Sequence, residues 1–318
     1  MPDILQEALR LQEALGVYLR DPVVELVRIG TGHSRAMFRA ATASGDRLVV
    51  RVEQGGVFGT SGAEEFAVMR ALHTAGFPVA RVRNHESDVS VLGRPFFVMD
   101  FVAGAQNPDG GERAVDASTA RAFVRCLDRL HALDWRRAQV PFETVPDRPQ
   151  DATHLQIERW HAVAAQGVGP ADPLLDEAAA WLHRYAPPLD RLCVVHGDAG
   201  PGNFVHAEGE VLAVTDWEFA HLGDPAEDWS YCAVMRGAST MSTERWLELF
   251  AAEAGVQLSA SQWKFWEAFN LFKGACANRT TLALFVSGAN RAPNMAIIGT
   301  ALHQVFLRRL AIITEAAP

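Results

Sequence analysis

The fold is decided by residues 192–228, which read LCVVHGDAGPGNFVHAEGEVLAVTDWEFAHLGDPAED. The apolar residues Cys193 to Val195 predict a short strand that runs into a His-Gly-Asp turn and delivers Asp198. After a glycine- and proline-rich loop, Val211 to Thr215 predicts a second strand, and this strand delivers Asp216. Two carboxylates therefore stand 18 positions apart, each just past an apolar strand.

Asn203 lies between these carboxylates, five positions after Asp198. Two strand-end carboxylates and a carboxamide make an oxygen-rich site of the kind that a hard, octahedral cation such as Mg²⁺ prefers. If Asn203 and Asp216 hold the cation, Asp198 is left to act on a hydroxyl group.

The order His196-Gly197-Asp198, Asn203, Asp216-Trp217-Glu218 matches the spacing of the catalytic loop and the metal-binding motif of kinases. With Gly after the His and Trp-Glu after the second Asp, the chain resembles the aminoglycoside phosphotransferase family of small-molecule kinases. The following Leu222 to Pro225 (LGDP) is most similar to the branch related to the kinase-like domains of acyl-CoA dehydrogenases.

This resemblance implies an ATP- or GTP-dependent kinase that phosphorylates a hydroxyl group of a small molecule, with Mg²⁺ as cofactor. Asp198 would be the catalytic base, and Asn203 and Asp216 would bind the metal. Arg51 stands where kinases hold the lysine that contacts the nucleotide phosphates, and arginine can fill that role because it grips phosphate bidentately. Glu65 would pair with this cation, and the adjacent Glu64 is an alternative.

The remaining nucleotide contacts implied by the resemblance come from small residues and from backbone. Gly30, Gly32 and Ser34 lie in a turn between two strands, where backbone N–H groups can approach phosphate oxygens. Asp100 and Val102 lie in the segment that would bind the edge of the base through backbone groups. A tight hairpin and a plain buried strand explain the same residues without any ligand.

The periodicity predicts a small β-rich lobe followed by a large α-helical lobe, and the resemblance implies an α+β fold of the protein-kinase-like bilobal type. We expect a nucleotide-binding lobe over residues 1–102 and a catalytic, acceptor-binding lobe over residues 103–318. The predicted helices and strands are a helix over 4–19, strands over 23–29, 36–41, 47–52, 79–90 and 95–102, a helix over 63–75, and helices over 118–133, 154–165, 173–185, 230–235, 242–254, 259–286 and 295–314. Residues 138–153 are predicted to be a proline-rich connection.

Composition narrows the class of protein. The 318 residues are 49% hydrophobic and 21% charged, which is typical of a globular protein, and no uninterrupted apolar run has the ~18 residues of a membrane span. The N-terminus lacks the basic-then-apolar order of a signal peptide, and the four cysteines form no metal-binding pattern, so we expect a cytoplasmic protein with buried thiols. Residues 1–104 hold 11 arginines, no lysine and 12 acidic residues, so most of the net charge of −9 lies in the remainder, and nucleic acid binding is disfavoured.

The acceptor is predicted only as a hydroxylated small molecule. Its pocket is expected to draw on residues 142–185 and 263–286, which are rich in aromatic side chains: Trp160, Trp181, Trp263, Trp266 and Phe272. Two other functions remain open. Arginine in place of lysine and the incomplete glycine loop fit a nucleotide-binding regulator without useful turnover, and a scaffold protein would bind no nucleotide at all. The sequence indicates no oligomeric state.

Overall fold

A computed structural model describes residues 2–29, 35–53, 58, 60–105 and 115–318. Its first part contains the elements α1 (Pro2–Leu19), β1 (Val23–Arg28), β2 (Arg35–Thr42), β3 (Arg47–Glu53), α2 (Gly62–Thr74), β4 (Val82–Glu86), α3 (Val89–Leu92) and β5 (Phe96–Asp100). The five strands form one antiparallel sheet in the order β1-β2-β3-β5-β4. Because β3 lies in the centre, its side chains from Leu48 to Val52 are buried, including Arg51.

The second part is mostly helical. It contains α4 (Ala117–Ala132), α5 (Asp151–Ala164), α6 (Pro173–Tyr185), β6 (Cys193–Val195), β7 (Phe204–Ala207), β8 (Glu210–Val214), a 3₁₀ turn (Trp217–Phe219), β9 (His221–Gly223), α7 (Ala226–Tyr231), a first π-segment (Cys232–Arg236), a second 3₁₀ turn (Gly237–Ser239), α8 (Thr243–Ala254), α9 (Ala260–Ser287), α10 (Pro293–Ile297), a second π-segment (Ile298–Leu302) and α11 (His303–Thr314). Here β6 pairs with β9 and β7 pairs with β8, in both cases antiparallel.

The predicted α+β, protein-kinase-like architecture is confirmed, with differences at three places. The strand predicted over 79–90 is shorter, because only Val82–Glu86 pairs with β5 and Asp88 caps the short helix α3. Helix α5 starts at Asp151, inside the predicted connection. The segment predicted as a helix over 230–235 is the end of α7 followed by the first π-segment.

The two parts share a hydrophobic core. Val49, Val68 and Phe97 from the sheet and α2 belong to the same buried cluster as Phe204 and Trp217 from the second part. A direct backbone hydrogen bond, from the Val214 N–H to the Pro78 carbonyl at 2.8 Å, joins the parts next to Asp216. Phe77 packs edge-on against Trp217, with ring centroids 5.7 Å apart. This packing places α2 and β3 directly over the Asp216 motif.

Helix α9 is the central helix of the second part. It starts with a capping box at Ser259 and ends at Gly288 in the left-handed conformation, and it packs against α5, α7 and α11. Its middle is buried on nearly every side, which explains why its 28 residues contain so many apolar and aromatic side chains. The four cysteines are free and buried, as expected.

One continuous helix of 22 residues, Pro293–Thr314, is long and apolar enough to cross a membrane when judged by length and composition alone, and 22% of its apolar window is buried inside the protein. It comprises α10, the second π-segment and α11. Buried helices of water-soluble proteins pass the same test, so this feature does not assign the protein to a membrane.

Gly237 directly follows the first π-segment, and a substitution at this position can test how tightly the segment is packed. A Cβ atom at Gly237 would lie 2.5 Å from the Cys232 carbonyl oxygen and 2.3 Å from Nε1 of the buried Trp246. We expect Gly237→Ala to lower the free energy of unfolding by about 1–3 kcal/mol, since neither a buried indole nor backbone can give way easily. Denaturant unfolding measures this, and Ala238→Ser at the exposed neighbouring position is the control, which should stay within about 0.5 kcal/mol of wild type.

Candidate active site

The turn that carries Asp198 is shaped by the pairing of β6 with β9, in which Val195 lies opposite His221. Gly197 follows with φ +80°, and a Cβ atom there would lie 2.6 Å from the Phe219 carbonyl oxygen, so only glycine fits. The buried Lys273 of α9 donates a hydrogen bond of 2.6 Å to the Gly197 carbonyl and another of 2.6 Å to Glu227. Lys273 therefore fixes the peptide next to Asp198.

Asp228 fixes the other side of the same turn. Its carboxylate accepts hydrogen bonds from the backbone N–H groups of His196 and Gly197, each at 2.8 Å, and from Nε2 of His131 at 2.9 Å. Burial alone would raise the pKa of Asp228, but the hydrogen bond and charge of His131 and the bonds from the turn lower it below its usual range. Asp228 is thus a buried carboxylate that holds the turn in place.

His196 connects the turn to the strand that precedes Asp216. Its Nε2–H donates to the Thr215 carbonyl at 2.9 Å, so Nδ1 accepts the Asp198 N–H at 3.2 Å. The imidazole also packs on the Trp217 ring at 4.7 Å. Both ring nitrogens are occupied by backbone groups, so His196 braces the loop.

The carboxylate of Asp198 accepts hydrogen bonds from the side chains of Asn203, Arg236 and Tyr231. The amide nitrogen of Asn203 donates to Oδ2 at 2.7 Å and to the Asp198 backbone carbonyl at 2.8 Å. Arg236 donates through Nε to Oδ1 at 2.9 Å and through Nη2 to Oδ2. Arg236 comes from the first π-segment, 38 residues further along the chain, and no sequence pattern indicated it.

Arg51 joins the sheet to the second carboxylate of the pair. Its Nη2 donates to Oδ1 of Asp216 at 2.8 Å, and its Nη1 lies 2.9 Å from Oε1 of Glu65. Arg35 pairs with the other oxygen of Glu65 at 3.0 Å. The result is a buried row of alternating charges, Arg35, Glu65, Arg51 and Asp216, which we call the ion-pair ladder. Glu65 rather than Glu64 is the partner of Arg51, and Arg35 is a member that sequence reasoning missed.

The ladder shifts the pKa values of the acids around it. Burial would raise the pKa of Asp216, but the charge and hydrogen bond of Arg51 lower it, so this carboxylate stays ionised. Glu218 pairs with Arg35 at 3.6 Å, but burial, followed by the negative charge of Asp216, outweighs this cation and raises the pKa of Glu218 to about 7. Asp216 also adopts the left-handed conformation, with φ +67°, which turns its side chain away from the path of β8.

The donor set fits Mg²⁺. Since the amide nitrogen of Asn203 makes both bonds to Asp198, the side-chain oxygen is the atom left to bind a cation. Arg51 binds Oδ1 of Asp216, one of two carboxylate oxygens. Among the described residues, no group of three or more His, Cys, Asp or Glu side chains is placed to hold a metal by itself. A site with one or two protein oxygens suits Mg²⁺, which keeps waters and binds phosphate oxygens of its substrate.

The other residues predicted to contact the nucleotide are placed as follows. Gly30, Gly32 and Ser34 lie outside the described residues. Asp100 ends β5; its side chain pairs with Arg81 and Arg83, and its N–H donates to the Arg81 carbonyl at 2.9 Å, so that amide is not available to a base. Val102 follows the strand as a half-buried residue.

A cavity of about 250 Å³ lies between the ladder, the Asp198 turn and the helices. It is lined by Arg35, Met37, Arg51, Phe58, Asp198, Asp216, Glu218, Phe219, Tyr231, Arg236, Ala277, Asn278, Thr281, Ile298 and Leu302. Helix α9 contributes, as predicted for residues 263–286. The aromatic residues expected there do not line this cavity: Trp160, Trp266 and Phe272 are buried in the helical core, and its apolar wall comes from Phe58, Phe219 and the second π-segment.

Comparison with known proteins agrees with this arrangement. The sequence profile of the phosphotransferase enzyme family (APH) matches residues 25–269, which include the elements from β2 to the Asp198 turn and the Asp216 motif. The chain belongs to this family. Similar APH-family sequences occur inside longer proteins. The chain is 27% identical over 301 residues to acyl-CoA dehydrogenase family member 10 of Mus musculus, covering 86% of this chain and 28% of that protein.

A plant relative gives the same result. The chain is 28% identical over 290 residues to the probable acyl-CoA dehydrogenase IBR3 of Arabidopsis thaliana, which covers 78% of this chain and 35% of that protein. The chain therefore spans only about a third of the length of these relatives.

Solved structures share the fold at low sequence identity. A putative aminoglycoside phosphotransferase from Ralstonia eutropha JMP134 has a TM-score of 0.73 and 23% identity, covering 96% of this chain and 98% of that one. A choline/ethanolamine kinase family protein from Mesorhizobium loti has a TM-score of 0.68 and 18% identity, covering 98% and 95%. A thermostable mutant of the aminoglycoside phosphotransferase APH(4)-Ia, in a ternary complex with AMP-PNP and hygromycin B, has a TM-score of 0.71 and 15% identity, covering 96% and 99%.

The bracing role of Asp228 can be tested by Asp228→Asn. An amide can accept from one of the two backbone N–H groups but presents an NH₂ group to the other, so we expect a loss of about 2–4 kcal/mol of unfolding free energy at pH 7. Because the folded-state pKa of Asp228 is lowered, its contribution exists above the unfolded-state pKa of about 3.9 and fades as the pH falls through the folded value. The difference between variant and wild type should therefore narrow in acid.

Urea unfolding at several pH values measures the effect of Asp228→Asn. Asp147→Asn, at an exposed position, is the control and should match wild type. An Asp228→Asn protein as stable as wild type at pH 7 would show that the carboxylate does not hold the turn.

Proposed function

We propose that this protein is a nucleoside triphosphate-dependent phosphotransferase that moves the γ-phosphoryl group of ATP or GTP to a hydroxyl group of a small molecule. The observation that carries the proposal is that Asp198, Asp216 and Arg51, distant in sequence, all face one cavity. Asn203 is bonded directly to Asp198 beside it. A carboxylate for the hydroxyl proton, oxygens for a cation and a cation for phosphate are the parts that phosphoryl transfer requires.

In this proposal Asp198 is the catalytic base. The acceptor hydroxyl binds one oxygen of its carboxylate, gives up the proton as its own oxygen bonds to the γ-phosphorus, and the electron pair of the breaking P–O bond leaves with the nucleoside diphosphate. The turn that holds Asp198 is fixed by Asp228 on its N–H side and by Lys273 on its carbonyl side. Such rigidity matters because positioning accounts for much of the rate of phosphoryl transfer.

The nucleotide would lie under the sheet. Arg51 is held ready for the phosphates by Glu65, and Asn203 and Asp216 would hold Mg²⁺, which neutralises phosphate charge when bound. Gly30, Gly32 and Ser34 would contact phosphates through the backbone, and the base would bind near Asp100 and Val102. Under this assignment residues 1–102 form the nucleotide lobe and residues 103–318 the catalytic and acceptor lobe.

The acceptor would be a hydroxylated small molecule. Its body would contact the apolar side of the cavity, which is formed by Phe58, Phe219 and the second π-segment. APH(4)-Ia, which shares the fold, binds hygromycin B, but its 15% identity does not extend to the acceptor of this chain. A screen for acceptors should therefore include alcohols with apolar bodies as well as aminoglycosides. Consumption of Mg²⁺-ATP or Mg²⁺-GTP that depends on an added alcohol is the direct test of the proposal.

Asp198→Asn tests the base. We expect kcat to fall by about 10²–10⁴, the usual contribution of a general base, while nucleotide affinity stays near wild type. The amide oxygen can still accept from Arg236, but the NH₂ group faces a second donor, so the free energy of unfolding should fall by about 1–3 kcal/mol, which leaves the protein folded. Steady-state kinetics with the acceptor found in the screen, together with calorimetric nucleotide binding, give both quantities. Asp190→Asn, on an exposed loop, is the control. Retention of more than about half of kcat would exclude Asp198 as the base.

Arg51→Met tests the phosphate cation. We expect Mg²⁺-ATP to bind about tenfold or more weakly, which corresponds to about 1.4 kcal/mol, because the phosphates lose a charged, bidentate donor. The matched control is Arg47→Met at the exposed start of the same strand, which should bind like wild type. Equal affinity in the Arg51 variant would place the phosphates elsewhere, and a wild-type protein that binds neither Mg²⁺-ATP nor Mg²⁺-GTP would contradict the proposed function itself.

A further inference from the structure

Arg236 differs from the other arginines that line the cavity. The side chains of Arg35 and Arg51 are 3% and 5% exposed and are enclosed by the carboxylates of the ladder. The side chain of Arg236 is 29% exposed, and it makes its bidentate contact with Asp198 at the edge of the cavity. A guanidinium group that is open to the cavity on one side can contact a ligand without first losing all of its protein partners.

The loop of Asp198 has room for this arginine only because Gly200 lacks a side chain. Gly200 has φ +142°, and a Cβ atom there would lie 2.5 Å from Cβ and 3.2 Å from Cγ of Arg236. The chain therefore places a glycine two residues after the base and fills the space beside it with an arginine from another element. The positive φ of Gly200 also favours glycine at this position.

The element that supplies Arg236 is itself unusual. The π-helical conformation is rare, and single π-turns within helices occur frequently at functional sites. The described residues contain two π-segments, and both border this cavity, one through Arg236 and the other through Ile298 and Leu302. Because a π-turn inserts one extra residue into the helix, it rotates the side chains that follow, and here the last residue of the first π-segment is the one that meets Asp198.

The negative charges around Arg236 belong to Asp198, the proposed base, and to Asp216, the proposed metal ligand. Burial would lower the pKa of Arg236, but the charge and hydrogen bond of Asp198, together with the charge of Asp216, raise it, so this guanidinium stays cationic. Burial raises the pKa of Asp216, and the charge of Arg236 adds to that of Arg51 in lowering it. Arg236 therefore acts on both the base and the metal-binding carboxylate, and it stands between the places where the acceptor oxygen and the γ-phosphoryl group must meet.

We propose that Arg236 is a catalytic residue that binds the phosphoryl group during its transfer. This inference rests on the proposed function. Before the reaction, the guanidinium group of Arg236 orients the carboxylate of Asp198 through two hydrogen bonds. When the acceptor hydroxyl takes one oxygen of that carboxylate, an N–H of Arg236 is released toward the phosphoryl oxygens.

The proton then passes to Asp198, the acceptor oxygen bonds to phosphorus, and the electron pair of the broken bond leaves on the nucleoside diphosphate. Arg236 stays charged throughout and neutralises the equatorial oxygens.

A purely structural ion pair makes a different prediction. If Arg236 only held Asp198 in place, its removal would affect folding and the rate for any acceptor, but it would not change how the protein binds a mimic of the transferred phosphoryl group. Binding of such a mimic needs no acceptor, so it can be measured before the acceptor is known. The probe is Mg²⁺-ADP with aluminium fluoride, in which the fluoride complex occupies the position of the γ-phosphoryl group.

The experiment compares Arg236→Gln, which keeps length and hydrogen bonding but not charge, with Arg236→Lys, which keeps charge but not the fork. Arg245→Gln is the control, since Arg245 lies on the exposed face of α8 and pairs with Glu248. Calorimetry gives the affinity of each protein for Mg²⁺-ADP with and without aluminium fluoride, and thermal unfolding checks that each variant is folded. Steady-state kinetics with the screened acceptor gives kcat and KM separately.

We expect Arg236→Gln to bind Mg²⁺-ADP like wild type and to lose about 10²-fold in affinity for the aluminium fluoride complex, with a matching fall in kcat and little change in the acceptor KM. Arg236→Lys should recover part of both losses. Equal binding of the complex by wild type and a folded Arg236→Gln protein would overturn the inference, and so would formation of no complex by a wild type that binds Mg²⁺-ADP. A wild type that does not bind Mg²⁺-ADP at all would instead contradict the proposed function.

Discussion

The buried ion-pair ladder is the interaction on which the site depends. Arg35 and Arg51 share the two oxygens of Glu65, and Arg51 continues to Asp216. Arg35, Glu65 and Arg51 are charges taken out of water, and Asp216 at the end of the row is half-buried. Such a row adds little net stability because desolvation offsets the attraction. The ladder instead fixes how the elements that carry its residues are positioned relative to one another. A sheet, a helix and a hairpin from two parts of the chain can satisfy their buried charges together only in one relative position, and that position places Arg51 over the Asp216 motif.

The Asp198 turn is fixed by a second set of buried charges, independent of the ladder. Asp228 accepts the N–H groups of the turn, and Lys273 donates to its carbonyl. Both residues come from helices that follow the turn in sequence, so the turn can form correctly only after the helical part has packed. The site is therefore assembled from two sets of buried charges, and the cavity is lined by residues of both parts of the chain. Arg236 is the cation at this junction that keeps some exposure.

Several features of the site were predictable because they depend on local spacing. The strand-turn pattern around Asp198, the position of Asn203 and the strand before Asp216 were all read correctly as local structure, and Arg51 and Glu65 do form a pair. The location of the acceptor pocket stays a prediction, although the aromatic residues expected to line it do not line the cavity beside Asp198. Aromatic residues at helical spacing show that a face is buried, but not which neighbour buries it, and Trp160, Trp266 and Phe272 are buried against other helices. The roles of Asn203 and Asp216 in metal binding and of Gly30, Gly32 and Ser34 in nucleotide binding stay predictions.

The sequence by itself determined the α+β, kinase-like fold, membership of the phosphotransferase enzyme family and the order of the acidic and amide residues, because each of these follows from periodicity and short-range spacing. The tertiary structure decided which cations meet those acids. Arg35, Arg236 and Lys273 carry no motif, and each reaches the site from an element whose position is set by packing far from the site. Charge pairing acts through space over a few ångströms. The distance between two charged groups that are far apart in the sequence cannot be read from residue spacing, because it is set when the helices and the sheet pack together.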